Sequence, residues 1–131
     1  MIQDNLQLDI EVEGDLLLAI AWGTTSFDTA LGALKQVFDA AAKHEVSRIL
    51  VETLAVEGVL TAMERYRLAV EAVAHAERGK MAPKIAIVET PPTSEGFCVF
   101  VAQNRGLTTE MFPTRQEALR WLEAMRESAR R

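Results

Sequence analysis

Three carboxylates stand where chemistry could be done. Glu52 lies next to the end of the β-branched run "RILVET", Glu89 closes "KIAIVE", and Glu57 follows shortly after the first of these. Acids at the C-terminal ends of parallel strands lie on the edge where open α/β sheets gather ligands. With Thr53, Thr90 and Thr93 beside them, they would make a small polar site. The plainer reading is that they are solvated loop acids, which are common at such edges. Thr61 is the remaining hydroxyl of interest as a candidate switch. Glu64, three residues on, completes a T-x-x-E capping box, so Thr61 reads first as a helix cap.

The other reactive types do not converge. His44 and His75 each fall in the last turn of a predicted helix, where the backbone dipole favours a charged imidazole, and no third ligand accompanies them. The single cysteine, Cys98, excludes an internal disulfide. It sits among Phe97, Phe100 and Val101 with no histidine nearby, which fits a small core hydrophobe better than a nucleophile. Neither G-x-x-x-x-G-K nor G-x-G-x-x-G occurs. No catalytic residue, cofactor or metal is expected.

The elements that must hold these residues are well marked. "LQLDIEV" alternates strictly, "GD" turns the chain, and "LLLAIAW" returns it as the second strand of a hairpin. Phe27, Leu31, Leu34, Val37, Phe38 and Ala41 recur at helical spacing, with Thr25–Asp28 or Ser26 as the cap. A strand at 48–53 precedes a helix at 61–78 with Met63, Tyr66, Val70, Val73 and Ala74 on one stripe, and Gly79 as the stop. A strand at 84–89, a short helix from Ser94 to Asn104 and a strand at 107–112 follow. Thr114 and Glu117 then cap a last helix lined by Ala118, Leu119, Leu122 and Met125.

The order ββαβαβαβα predicts a single α/β domain of 131 residues with a mixed, mostly parallel five-stranded sheet and four helices. One sheet face reads as strongly apolar (Leu16, Leu18, Ile20, Trp22, Ile49, Val51, Ile85, Ile87, Leu107 and Met111). The other reads as weaker (Leu17, Ala19, Ala21, Leu50, Glu52, Ala86, Val88, Thr108, Glu110 and Phe112). Crossovers of one hand would stack the helices mainly on one side, leaving the weaker face partly open for something to dock.

The element order, and above all "VAQNRGLTTEMFPTRQEALRWL", resembles the SpoIIAA-like (STAS-like) superfamily. An N-R-G turn (Asn104, Arg105, Gly106) leads into the last strand, then Phe112, then a helix carrying A-x-x-W-L at Ala118, Trp121 and Leu122. The resemblance implies regulatory protein contacts or apolar-ligand binding. It also implies a switch serine in an acidic-Ser-Ser-Gly motif after the third strand. Here that region reads "VETLAVEGVLTAMERYRL", with no serine, and Thr61 holds the nearest position. Periodicity already gives each residue of the tail a place in the architecture.

With 49% apolar and 25% charged residues the balance is that of an ordinary globular domain. A net charge of −5 opposes phosphate backbones, and the arginines of the last helix alternate with Glu117, Glu123 and Glu127, so no nucleic-acid partner is expected. No long apolar run predicts a membrane span, and no leader pattern opens the chain, so the cytoplasm is the expected compartment. The expectation is a non-enzymatic regulatory or protein-interaction module, one form of it a homodimer. The alternative is a small apolar-ligand or lipid carrier with a methionine-rich pocket (Met63, Met81, Met111).

Overall fold

The computed structural model describes residues 6–89 and 97–129. The expected Ser94 cap, Thr90 and Thr93 lie outside the described residues, as does the side chain of Cys98. The elements run β1 (Leu6–Glu13), β2 (Leu16–Thr24), α1 (Phe27–Lys43), β3 (Arg48–Glu57), α2 (Ala62–Arg78), β4 (Lys84–Val88), α3 (Phe97–Asn104), β5 (Thr108–Phe112) and α4 (Arg115–Ala129). They form the mixed five-stranded sheet and four helices that the sequence predicts. The strands stand in chain order, β1 antiparallel to β2 and the others parallel.

Local chemistry accounts for the boundaries. Ser26, not Thr25, caps α1: its hydroxyl accepts from Thr29 N at 3.2 Å, while Thr29 Oγ1 accepts from Ser26 N at 2.8 Å. Thr25 is committed to the sheet edge instead, donating its N–H to the Glu57 carbonyl at 2.9 Å. Thr61 and Glu64 form the expected box at α2. At the end of α3, Gly106 takes φ +93°, the left-handed turn that only glycine adopts cheaply, and redirects the chain into β5.

The two sheet faces differ from the sequence reading at one strand. Parallel pairing sets Leu17 against Ile49 and Ala19 against Val51, and Ile49 and Val51 against Ile85 and Ile87. Leu17, Ala19, Ile49, Val51 and Ile85 therefore share the face on which Val37, Phe38 and Ala41 of α1 and Ala72 and Ala76 of α2 are buried. Leu16, Leu18, Ile20 and Trp22 point the other way, toward the face of Leu50, Ala86 and Val88 that Ala118 and Leu122 of α4 cover. A run apolar on both faces carries no phase of its own, and a one-residue offset exchanges its faces.

Helix α3 joins the α1–α2 side through Ala102, packed with Ala69 and Val73. Because consecutive strands are neighbours, crossovers of one hand place three helices on one face. Helix α4 follows the last strand and is free to cross to the other. It packs over β3, β4 and β5, with Trp121 against Phe112 at 5.7 Å between ring centroids. Leu16 and Leu18 still pack against its cluster, so what is left open on that face is β1 and the end of β2 that carries Ile20 and Trp22.

Candidate functional site

The sheet separates the strand-end carboxylates. Glu52 pairs in register with Val88 and points to the α4 face. There Arg115 donates to both its oxygens, Nε at 2.7 Å and Nη2 at 3.0 Å. The hydrogen bond to Glu52 and its charge raise the Arg115 pKa above its ordinary value, with Glu11 adding to the effect. Glu89 is one residue past Val88 and belongs to the opposite face, in line with Ile85 and Ile87. Glu57 is exposed at the end of β3. No acid pair of the kind needed for proton transfer is assembled from these three.

Thr61 is exposed, and its hydroxyl accepts from Glu64 N at 3.1 Å while Glu64 Oε1 accepts from Thr61 N at 2.9 Å. Thr53 donates its hydroxyl to the Val88 carbonyl at 3.1 Å, tying β3 to β4. His44 is the C-cap of α1. His75 stacks on Phe38 and its Nε2 meets Asp39 Oδ1 at 2.8 Å, fastening α2 to α1. Among the described residues, no three His, Cys, Asp or Glu side chains converge on one point.

The structure does hold a cavity of about 290 Å³ on the α1–α2 face. It opens at the C-terminal edge of the parallel strands, the edge where ligands settle in open α/β sheets. Its floor includes Ala21, Val51 and Ile87, its roof Ala30, Ala33 and Leu34 of α1 and Leu68 of α2. Leu54 and Val59 line it and are 46% and 80% exposed, which puts them at the mouth. Gly58 lies beside them, and a Cβ there would stand 3.0 Å from the Thr25 carbonyl, so the loop closes over Thr25 only without a side chain.

Among the described residues, two charged side chains line this apolar space, Arg65 and Glu89. Arg65 was hidden by the expected stripe of α2. The residues that turn inward are Leu68, Ala69, Ala72, Val73 and Ala76, and Arg65 stands one turn before the first of them. Met63 turns out into solvent at 67% exposure, and Tyr66 outward to receive a hydrogen bond from Arg105 Nη2 at 3.2 Å. The signal that could have revealed the inward face was the spacing of small residues, Ala69, Ala72 and Ala76, which let α2 approach α1 and α3 closely.

The open half of the other face has a different character. Ile20 and Leu18 are half-buried and Trp22 is 42% exposed. The neighbouring row on β1, in register with them, is Gln7, Asp9, Glu11 and Glu13, all exposed. An apolar strip is thus flanked by a line of three acids.

Comparison with known proteins agrees with the layout. The chain superimposes on an anti-sigma factor antagonist from Mycobacterium paratuberculosis with a TM-score of 0.63 at 18% identity, over 93% of this chain and 97% of that one. The fold is SpoIIAA-like. A protein of the DUF3478 family with a SpoIIAA-like fold from Shewanella loihica matches at a TM-score of 0.55 and 17% identity, over 93% of this chain and 99% of that one. No family model and no curated protein matches the sequence. Among the described residues, no helix of this SpoIIAA-like chain is long and apolar enough to cross a membrane.

Proposed function

We propose that the chain is a non-enzymatic protein-interaction module that docks a basic, amphipathic segment of a partner on the open half of its sheet. One observation carries the reading: Trp22, 42% exposed, continues the row of Leu18 and Ile20 beside Asp9, Glu11 and Glu13. Large exposed aromatic residues on an apolar strip are the usual anchors of an interface, and a rim of one charge selects a partner of the other. A second copy of this chain is the poorer occupant, because face-to-face pairing would bring two acidic rows together. Similarity to an anti-sigma factor antagonist, named for its action on another protein, supports a regulatory role in the cytoplasm. Thr61 serves this reading as the α2 cap and not as a phosphate switch.

The test compares proteins captured from the source cells by the wild-type chain and by Trp22→Ala and Ile20→Glu, with sedimentation of the purified chain alongside. The expected result is a discrete partner released by raised salt and lost with both variants. A partner retained by both variants would overturn the reading, and so would a stable dimer that buries Trp22.

The cavity favours a second reading, a small apolar ligand held between the sheet and helices α1 and α2. Native mass spectrometry of protein purified from cells tests it by the mass of a retained molecule.

A further inference from the structure

The cavity's charges define its ligand more narrowly, and this inference rests on the ligand reading just given. We propose that the cavity binds a small amphipathic monocarboxylate, its apolar body among Ala21, Leu34, Val51 and Ile87 and its carboxylate on Arg65.

Arg65 occupies a position where α2 otherwise buries Leu68, Ala69, Ala72, Val73 and Ala76, and it is itself half-buried. A guanidinium drawn out of water is stabilised by a partner that accepts its hydrogen bonds. Four other arginines have one, and Arg78 and Arg120, which have none among the described residues, are exposed to water instead. Arg115 holds Glu52, Arg105 holds Tyr66, Arg67 pairs with Glu71 and lies over Phe27, and Arg48 stands between Asp15 and Glu123. The Arg65 side chain has no hydrogen-bond or ion-pair partner among the described residues, though it lines the cavity. Its fork of donors therefore remains available to an oxyanion, and the first turn of a helix is where backbone dipoles favour negative charge.

Among the described residues, Glu89 is the other charged group of the lining, and it forms no ion pair with Arg65. Its negative charge limits the head group to a single charge, because a doubly charged phosphate monoester would face repulsion that a monocarboxylate largely escapes. Size sets the body. At about 30 Å³ for a water-sized group, a cavity of about 290 Å³ holds about ten non-hydrogen atoms. That is a medium-chain fatty acid or a small aryl-alkanoic acid, and not a long-chain lipid. The exposed Leu54 and Val59 at the mouth offer an apolar way in.

Calorimetric titration of the purified chain with octanoate, 1-octanol and octyl phosphate tests the assignment. For the wild type, octanoate should bind at least about tenfold tighter than octanol, the effect expected of one charged hydrogen-bonded pair. Octyl phosphate should bind more weakly than octanoate. Arg65→Leu should erase the preference for octanoate while leaving octanol binding in place, and Arg65→Lys should restore part of it. If octanol and octanoate bind the wild type equally, or Arg65→Leu keeps the preference, the head-group assignment falls and the cavity reading stands. If none of the three binds, both fall. Should Arg65→Leu fail to fold, by circular dichroism, the wild-type ratio and Arg65→Lys decide.

Discussion

Filling the cavity from its floor separates a true void from a packed core by the sign of one measurement. Ala21 lies on β2, is buried, and lines the cavity. Ala21→Ile adds three carbons, at about 0.8 kcal/mol each for full burial, or about 2.4 kcal/mol. Ordering the longer side chain costs about 0.5–1 kcal/mol. The net expectation is a gain of about 1.5–2 kcal/mol, helped by the preference of β-branched residues for strands. For a chain of 131 residues this raises the thermal midpoint by about 5–8 °C. The urea midpoint should rise by about 1 M at an unchanged slope. Ala19 supplies the control. It lies on the same strand and the same face, is fully buried in the core cluster, and is absent from the cavity lining. Ala19→Ile should destabilise by about 1–3 kcal/mol, as overpacking does. Ala21→Ile should also weaken octanoate binding. A fall in both midpoints for Ala21→Ile, matching that of Ala19→Ile, would refute the reasoning, because it would mean the space under α1 is already filled.

Three further outcomes follow from the contacts. A double-mutant cycle over Glu52→Gln and Arg115→Gln, read by urea unfolding, should give a coupling of about 0.5–1 kcal/mol, because the pair is bidentate but Arg115 is largely solvated. Burial raises the Asp15 pKa, but the Ser47 hydroxyl and N–H, with the Arg48 guanidinium, more than offset it and leave the carboxyl below its ordinary value. A depressed folded-state value adds stability that is present above about pH 4 and lost as the pH falls through that folded value. Asp15→Asn should therefore destabilise at pH 7 and flatten the acid limb of the stability profile below about pH 4. Thr61→Ala should cost about 1 kcal/mol by thermal melting through loss of the α2 cap, and Thr61→Ser should cost far less.

What the sequence disclosed depended on whether a segment carried phase. β1 alternates apolar and acidic residues, so its faces were legible, and the T-x-x-E boxes of α2 and α4 fixed where those helices start. "LLLAIAW" is apolar at every position, and only pairing with β3 decides that Leu17, Ala19 and Ala21 face α1. In α2 the large residues Met63 and Tyr66 drew the expected stripe toward themselves. A helix packed close to two other helices buries alanines, so the true stripe passes through Ala69, Ala72 and Ala76 and brings Arg65 with it. The carboxylates illustrate the same limit. Glu52 and Glu89 both read as lying near the ends of predicted strands, yet β3 runs on to Glu57 and the register sets Glu52 level with Val88, and that one-residue difference places them on opposite sides of the sheet.

The open face and the cavity arise from different causes, which makes them separable. A helix is about 10 Å across, and five strands at about 4.8 Å spacing span about 19 Å between the outer axes. Helices α1, α2 and α3 suffice to cover that width, so the cavity on their side does not come from a missing element. It comes from small side chains, Ala21 below and Ala30 and Ala33 above. On the other side, α4 alone covers roughly half the width, and Ile20 and Trp22 are left over by the count of helices, whatever their neighbours' size. A substitution that closes the cavity need not touch the open face, and one that removes Trp22 need not alter the cavity. Ala21→Ile should thus weaken octanoate binding and leave partner capture intact, while Trp22→Ala should weaken partner capture and leave octanoate binding intact. Loss of both activities from either substitution would mean that ligand and partner compete for a single site, in contradiction of the two-faced division that the register imposes.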